Sequence, residues 1–141
     1  MPALARRQSE WEPRVLGILR IVVGLLYFQH GLNKLFNFPA LPNHVPYNVF
    51  SLTPGVAGLL EAFGSIFIIL GLFTRPVAFL LSGEMAVAYF MADIPRGLYP
   101  LVNRGELVVV YCFIFFYFFV AGGGAWSLDR LRSASLMTRH A

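Results

Sequence analysis

Apolar positions gather into four long runs along the chain, at 15–36, 55–73, 76–93 and 106–122. Each approaches the ~20 residues a helix needs to cross hydrocarbon. A backbone in lipid must satisfy its own N–H and C=O groups, so a few long spans read as helices. The predicted architecture is all-α: an integral membrane four-helix bundle, a single membrane domain over residues 1–141. Several boundaries carry local signals. Thr53 before Pro54 reads as an N-cap followed by Pro at the first helical position. Asn103, three residues ahead of Glu106, resembles a capping box. Thr74 and Arg75 leave only a short connection, which predicts an antiparallel hairpin of spans two and three. Gly122, Gly123 and Gly124 end the fourth span, and Ser127 is placed to cap a short helix carrying Leu128 and Leu131.

The polar positions inside the runs carry the chemistry. They are Arg20, His30 and Lys34 in the first, Glu61 in the second, Glu84 in the third and Glu106 at the start of the fourth. A charge at the bilayer centre costs at least ~2.5 kcal/mol, so such groups face the interior and pair. Arg20, Gly24, Tyr27, Gly31 and Lys34 recur at steps of four and three and share one face, with glycines that admit a neighbouring helix. Gly58, Glu61, Gly64 and Ser65 give the second span a matching face. Counting ~1.5 Å per residue, Arg20 and Glu84 lie ~8 and ~12 Å from the same end, which predicts a structural ion pair. His30, Lys34, Glu61 and Glu106 belong to the opposite half and form the candidate proton-handling cluster. Tyr27, Phe113 and Tyr117 are candidates for an aromatic pocket that takes a flat apolar ligand.

Composition and charge narrow the class. Of 141 residues, 57% are hydrophobic and 13% charged, which excludes a disordered chain, a nucleic-acid-binding tail and an ordinary cytosolic enzyme. The first run is too long for a signal peptide and contains Arg20, so it reads as a retained helix. Arg6, Arg7, Arg14, Arg75, Arg130, Arg132 and Arg139 fall on one side of the four spans, against Arg96 and Arg104 on the other. That bias predicts both termini in the cytoplasm, with 37–54 and 94–105 as outer loops. Trp11 and Trp126 fall at the cytoplasmic interface, each beside a short amphipathic helix. The proline-rich 37–54 loop is too apolar for a solvated linker and is expected to fold back as a lid. The single cysteine, Cys112, allows no intrachain disulfide or dithiol chemistry. His30 is the only histidine within a span, so neither a bis-histidine haem nor a metal site is expected.

The pattern Arg20, Gly24, Phe28, His30–Gly31 and Lys34–Leu35 resembles the DoxX family of small four-helix membrane proteins. So do Glu61 with Gly64, Gly71–Leu72 with Thr74–Arg75, Met85 with Ala88, Asn103 with Gly105–Glu106, and Gly122, Gly124 and Trp126–Ser127–Leu128–Asp129. Ser65 departs from the pattern, where a second glycine is expected after Gly64. The resemblance implies a multi-pass inner-membrane protein, in a family named from terminal-oxidase and thiosulfate:quinone oxidoreductase settings. Its relatives there are membrane subunits, and others are accessory or assembly factors. The function expected is an accessory subunit of quinone-linked membrane redox chemistry, non-catalytic rather than an enzyme, with no cofactor of its own and quinone as the candidate ligand. Two alternatives stand beside it: a membrane scaffold or assembly chaperone, and a carrier of small molecules or protons. The expected partners are the lipid bilayer and other membrane or redox subunits, with no nucleic acid.

Overall fold

The computed structural model describes the backbone of residues 2–139 and the side chains of residues 10–136. Among these there is no strand, and helix accounts for 77%. Three helical segments are long and apolar enough to cross a membrane: Glu10–Phe36, Leu52–Leu70 and Thr74–Arg96. A fourth apolar helix, Glu106–Ala121, has 16 residues. At ~1.5 Å per residue it spans ~24 Å, short of a ~30 Å hydrocarbon core. The chain divides into two compact units, one running to Thr74 and resuming at Gly123, the other Arg75–Gly122.

The first unit is built on two antiparallel helices, α1 (Pro2–Phe36) and α2 (Ala57–Leu70). The polar stripe of α1 is the packed face: Arg20, Gly24, Tyr27 and Gly31 are buried. Opposite it, Val15, Ile18, Leu19, Val22, Leu25 and Leu26 are exposed, an apolar surface suited to lipid. A Cβ on Gly31 would press on the backbone N and Cα of Ala62, and one on Gly24 would lie 2.7 Å from Ile69 Cγ1. Small residues thus let the two helices approach at backbone distance, as in other membrane helix pairs. α1 begins well before its apolar run and carries Pro13 inside it. Trp11 is therefore part of the continuous helix and does not border a separate interfacial one.

α2 stops earlier than the apolar run, at Leu70 rather than Phe73. Gly71 adopts a left-handed conformation (φ 65°) and donates to Ile68 O, while Leu72 N donates to Phe67 O, the paired bonds of a Schellman end. Its start also differs from expectation. The cap is Ser51, whose Oγ accepts from Gly55 N at 3.1 Å; Thr53 is extended inside a wide turn, Leu52–Val56.

Arg20 reaches the carbonyls at the α2 end, adding a second donor to Ile68 O and meeting Ile69 O. This side chain is 0% exposed. Its Nη1 donates to Ile68 O and Ile69 O at 2.5 Å, its Nε to Gly123 O at 2.7 Å and its Nη2 to Trp126 O at 3.1 Å. A cation at a helix C-terminus is favoured by both the free carbonyls and the helix dipole. One guanidinium therefore ties α1, the end of α2 and the glycine-rich strap 123–127 together. Ala125 N adds a bond to Pro13 O at 2.7 Å. The strap leads into the helix Leu128–Arg139, where Ser127 Oγ accepts from Arg130 N, the expected cap. Asp129 then turns back: Oδ1 accepts from Phe73 N and Oδ2 from Thr74 N, each at 2.8 Å.

In the second unit, α3 (Thr74–Ala88) continues through a π turn, Tyr89–Asp93, and a 3-10 turn, Ile94–Arg96. Helical structure therefore runs beyond the predicted end at 93. The one-turn helix α4 (Pro100–Asn103) precedes α5 (Glu106–Ala121), which makes Leu128–Arg139 α6. Asn103 does not cap α5 with its side chain. It is buried, donates through Nδ2 to Gly97 O and accepts at Oδ1 from Gly105 N, both at 2.7 Å, so it closes the connection instead. Ser82 Oγ donates to Cys112 O at 2.9 Å between α3 and α5. Tyr111 stacks on Phe115, which meets Phe118 edge-on.

Two outcomes follow from this packing. Gly31→Val is expected to cost at least ~1–3 kcal/mol, because the obstacle is the α2 backbone rather than a movable side chain. Gly83→Ala, where an added Cβ meets nothing within 4 Å, should be neutral or slightly stabilising. Thermal unfolding in detergent compares them, and equal losses would refute the close approach. Burial pushes the Asp129 carboxyl up, but the Thr74 and Phe73 amides and the nearby Arg132 outweigh it and hold it below the usual carboxylate range. A lowered folded value means a contribution fully present at neutral pH and lost as pH falls through that value. The stability gap between wild type and Asp129→Asn should therefore shrink on acidification, and a constant gap would contradict the assignment.

Candidate functional site

At the far end of the α1–α2 pair from Arg20, the last turn of α1 presents Lys34. Its Nζ lies 2.5 Å from Glu61 Oε1 on α2. The Glu61 side chain is 3% exposed and that of Lys34 26%, so the pair is rooted in the packed interface and opens at the cation. Gly58 makes the approach possible, since a Cβ there would lie 3.1 Å from Lys34 Cβ. Ser65, the departure from the family pattern, donates its hydroxyl to Glu61 O one turn back and so brings no unmet polar group into the core. Glu61 Oε2 is buried with no hydrogen-bond partner among the described residues.

The 37–54 loop folds back over this end. Asn33 Nδ2 donates to Pro39 O at 2.7 Å, which tethers the loop to the end of α1, and Leu41 N donates to Asn37 Oδ1 at 3.1 Å within the loop. Under it lies a cavity of about 390 Å³. Its polar lining includes Asn33, Lys34 and His44, and its apolar lining Leu41, Val45 and Pro54. The loop does not bury its own aromatic residues: Phe38, Tyr47 and Phe50 are exposed, Phe50 at 95%. A lid of this composition shields the Lys34 end while offering apolar groups outward.

Of the four residues in the candidate cluster, the structure brings Lys34 and Glu61 together. His30 is exposed on α1, its ring 6.2 Å from that of Tyr27, and does not line the cavity. Glu106 is exposed at the first turn of α5, in the second unit. Tyr27 is 1% exposed within the first unit, whereas Phe113 and Tyr117 are exposed on α5. Glu84 is half-buried on α3. The donors of Arg20 go to the four carbonyls described above. Among the described residues no group of three His, Cys, Asp or Glu is placed to hold a metal ion. Sequence reasoning missed Asn33 and His44. The available signal was the polar pair Asn43–His44 set between Pro42 and Pro46 in an otherwise apolar loop.

The family model of DoxX matches residues 15–93, more than half of the chain. The chain belongs to the DoxX family. It is a multi-pass membrane protein. The matched stretch contains Lys34, Glu61 and the whole loop over them, so the site lies within the DoxX segment. An uncharacterized protein of Haemophilus influenzae is 41% identical over 134 residues, which cover 86% of this chain and 92% of the relative. No solved structure matches the chain.

The DoxX pair is testable by a double-mutant cycle. Lys34→Met leaves the buried Glu61 carboxylate without its cation and is expected to cost ~3–5 kcal/mol. Lys34→Met with Glu61→Leu should recover much of that loss, because both charges go together. Thermal unfolding in detergent reads the cycle, and strictly additive losses would rule out direct coupling.

Proposed function

We propose that this DoxX-family protein is an inner-membrane accessory subunit of quinone-linked redox chemistry, and that it holds a quinone head group in the cavity beside Lys34. In this reading the chain makes four spans with both termini in the cytoplasm, and electrons come from partner subunits. The supporting observation is the Lys34–Glu61 pair opening into a cavity of about 390 Å³ with apolar walls and a few donors. That size and composition suit a small amphipathic ligand. A quinone head group is flat and apolar with two carbonyl acceptors, and Asn33, Lys34 and His44 supply donors to match. Leu41, Val45 and Pro54 supply apolar contact. A scaffold role is the second reading. It is favoured by the exposed Phe38 and Phe50 on the lid, which offer a docking surface to another membrane protein.

A short-chain benzoquinone added to the detergent-purified protein should raise its unfolding temperature, by ~2.7 kcal/mol of stabilisation at about 100 times Kd. His44→Ala should lose most of that gain while unfolding normally without ligand, and Asn33→Ala, which also frees the loop from α1, should lose the gain together with some stability. No gain in wild type, or equal gains in the variants, would defeat the quinone reading. Co-purification of a defined protein partner without quinone would favour the scaffold.

A further inference from the structure

The end of the first unit that carries Arg20 has a cavity of its own, of about 890 Å³, between the start of α1 and α6. Its charged lining is Glu10 and Arg14 from α1 and Arg130 from α6, and Trp126 and Leu131 supply apolar wall. The other charged side chains of α6 nearby are engaged elsewhere. Asp129 accepts the Phe73 and Thr74 amides, and the Arg132 guanidinium lies 4.9 Å over the Phe73 ring. Trp11 holds Arg14 in turn, with the guanidinium 5.4 Å over the indole. The strap forms the floor, fixed by the Ala125 N bond to Pro13 O and by Arg20 on Trp126 O. The cavity thus has a fixed floor, and two arginines and one glutamate, all exposed, stand along its wall.

Its level along the span identifies the occupant's setting. The apolar run of α1 begins at Val15, directly after Arg14. Trp11 and Trp126 stand at the same level, 55% and 63% exposed, where aromatic residues mark the lipid head-group region. Directly along α1 from Arg14, the side chains of Val15, Ile18, Leu19 and Val22 form an exposed apolar track. A molecule with a charged head in the cavity and acyl chains on this track satisfies both surfaces at once. We propose that this cavity is a binding site for a phospholipid carrying a primary ammonium: Arg14 and Arg130 take the phosphate, and Glu10 takes the ammonium. Arginine suits the phosphate because its fork gives two donors to one anion. Glu10 selects a group that combines positive charge with N–H donors, which a choline head lacks and a glycerol head replaces with neutral hydroxyls. The proposal concerns the opposite end of α1 from Lys34 and does not depend on the quinone reading.

The full-length protein, delipidated in detergent and returned to mixed micelles, is titrated with phosphatidylethanolamine, phosphatidylcholine and phosphatidylglycerol. Native mass spectrometry counts the lipid retained. One phosphatidylethanolamine should be held about tenfold more tightly than either other lipid, the equivalent of ~1.4 kcal/mol. Arg130→Gln should weaken all three, and Glu10→Gln should abolish the preference while leaving phosphate-dependent retention. Both side chains are exposed, so lipid-free unfolding serves as the control for fold. Soluble phosphoethanolamine competing as well as the lipid would show a free-phosphate site and overturn the lipid assignment. Equal retention of the three lipids, tighter retention of phosphatidylglycerol, or a preference that survives Glu10→Gln would overturn the ammonium assignment.

Discussion

A guanidinium buried inside an apolar helix cannot lose its proton and cannot reach water, so the fold must bring acceptors to it. Arg20 receives backbone carbonyls from two places that have them to spare: the last turn of α2 and the glycine-rich strap. Most of the first unit's organisation follows from this. α2 has to end beside residue 20 of α1, which fixes the register of the antiparallel pair. The strap has to return to the same point, which places α6 over the start of α1. Gly71 is needed there twice, once for its left-handed turn and once because a Cβ would lie 2.9 Å from Arg20 Cζ. The same register sets Gly31 against Ala62 and Lys34 against Glu61, a chain of consequences running the length of the two helices.

Arg20 and Lys34, the two cations on the packed face of α1, are neutralised by different physics. Lysine is a compact charge on a flexible stem, and it meets a single carboxylate at the edge of the packed interface. Arginine has donors spread over a rigid plane, and it is satisfied by several partial charges at once. Carbonyls at a helix terminus serve that plane better than one carboxylate, because they approach from different directions and are already held by the chain. The Arg20 end therefore behaves as a brace, while the Lys34 end keeps part of its cation exposed.

Much of this was legible in the sequence. The steps of four and three through Arg20, Gly24, Tyr27, Gly31 and Lys34 identify the packed face of α1, and the glycines announce a close neighbour. Ser127 reads correctly as a cap because its signal is local. The misses share a cause. Thr53 and Asn103 both sit in cap-like spacing, yet the caps depend on backbone direction: Thr53 is extended inside a wide turn, and Asn103 is used up by Gly97 and Gly105. The partners of Arg20 were invisible for a deeper reason. Carbonyl oxygens belong to every residue, so a sequence scan pairs a buried cation with acids and passes over the acceptors that any chain can supply. His44 and Asn33 escaped notice because a loop's return path is set by its tethers, here Asn33 to Pro39 O, and not by periodicity.

Saturation separates a buried charge that supports the fold from one that can act. Arg20 has four of its five N–H donors on carbonyls held by the α2 end and the strap, so an exchange of those partners would require the α2 end to come apart. Glu61 has one oxygen on Lys34 and a second that is buried without a hydrogen-bond partner among the described residues. A buried acceptor left unmet costs ~1–3 kcal/mol, and that cost is recovered when a donor arrives. Lys34 in turn is a quarter exposed and lines a cavity. A group entering at that end therefore meets Lys34 first, with Glu61 buried behind it, and does so far from the register that Arg20 maintains at the other. The same helix pair thus carries a rigid end and an adaptable end, and the adaptable one is where chemistry with a small ligand has physical room to occur.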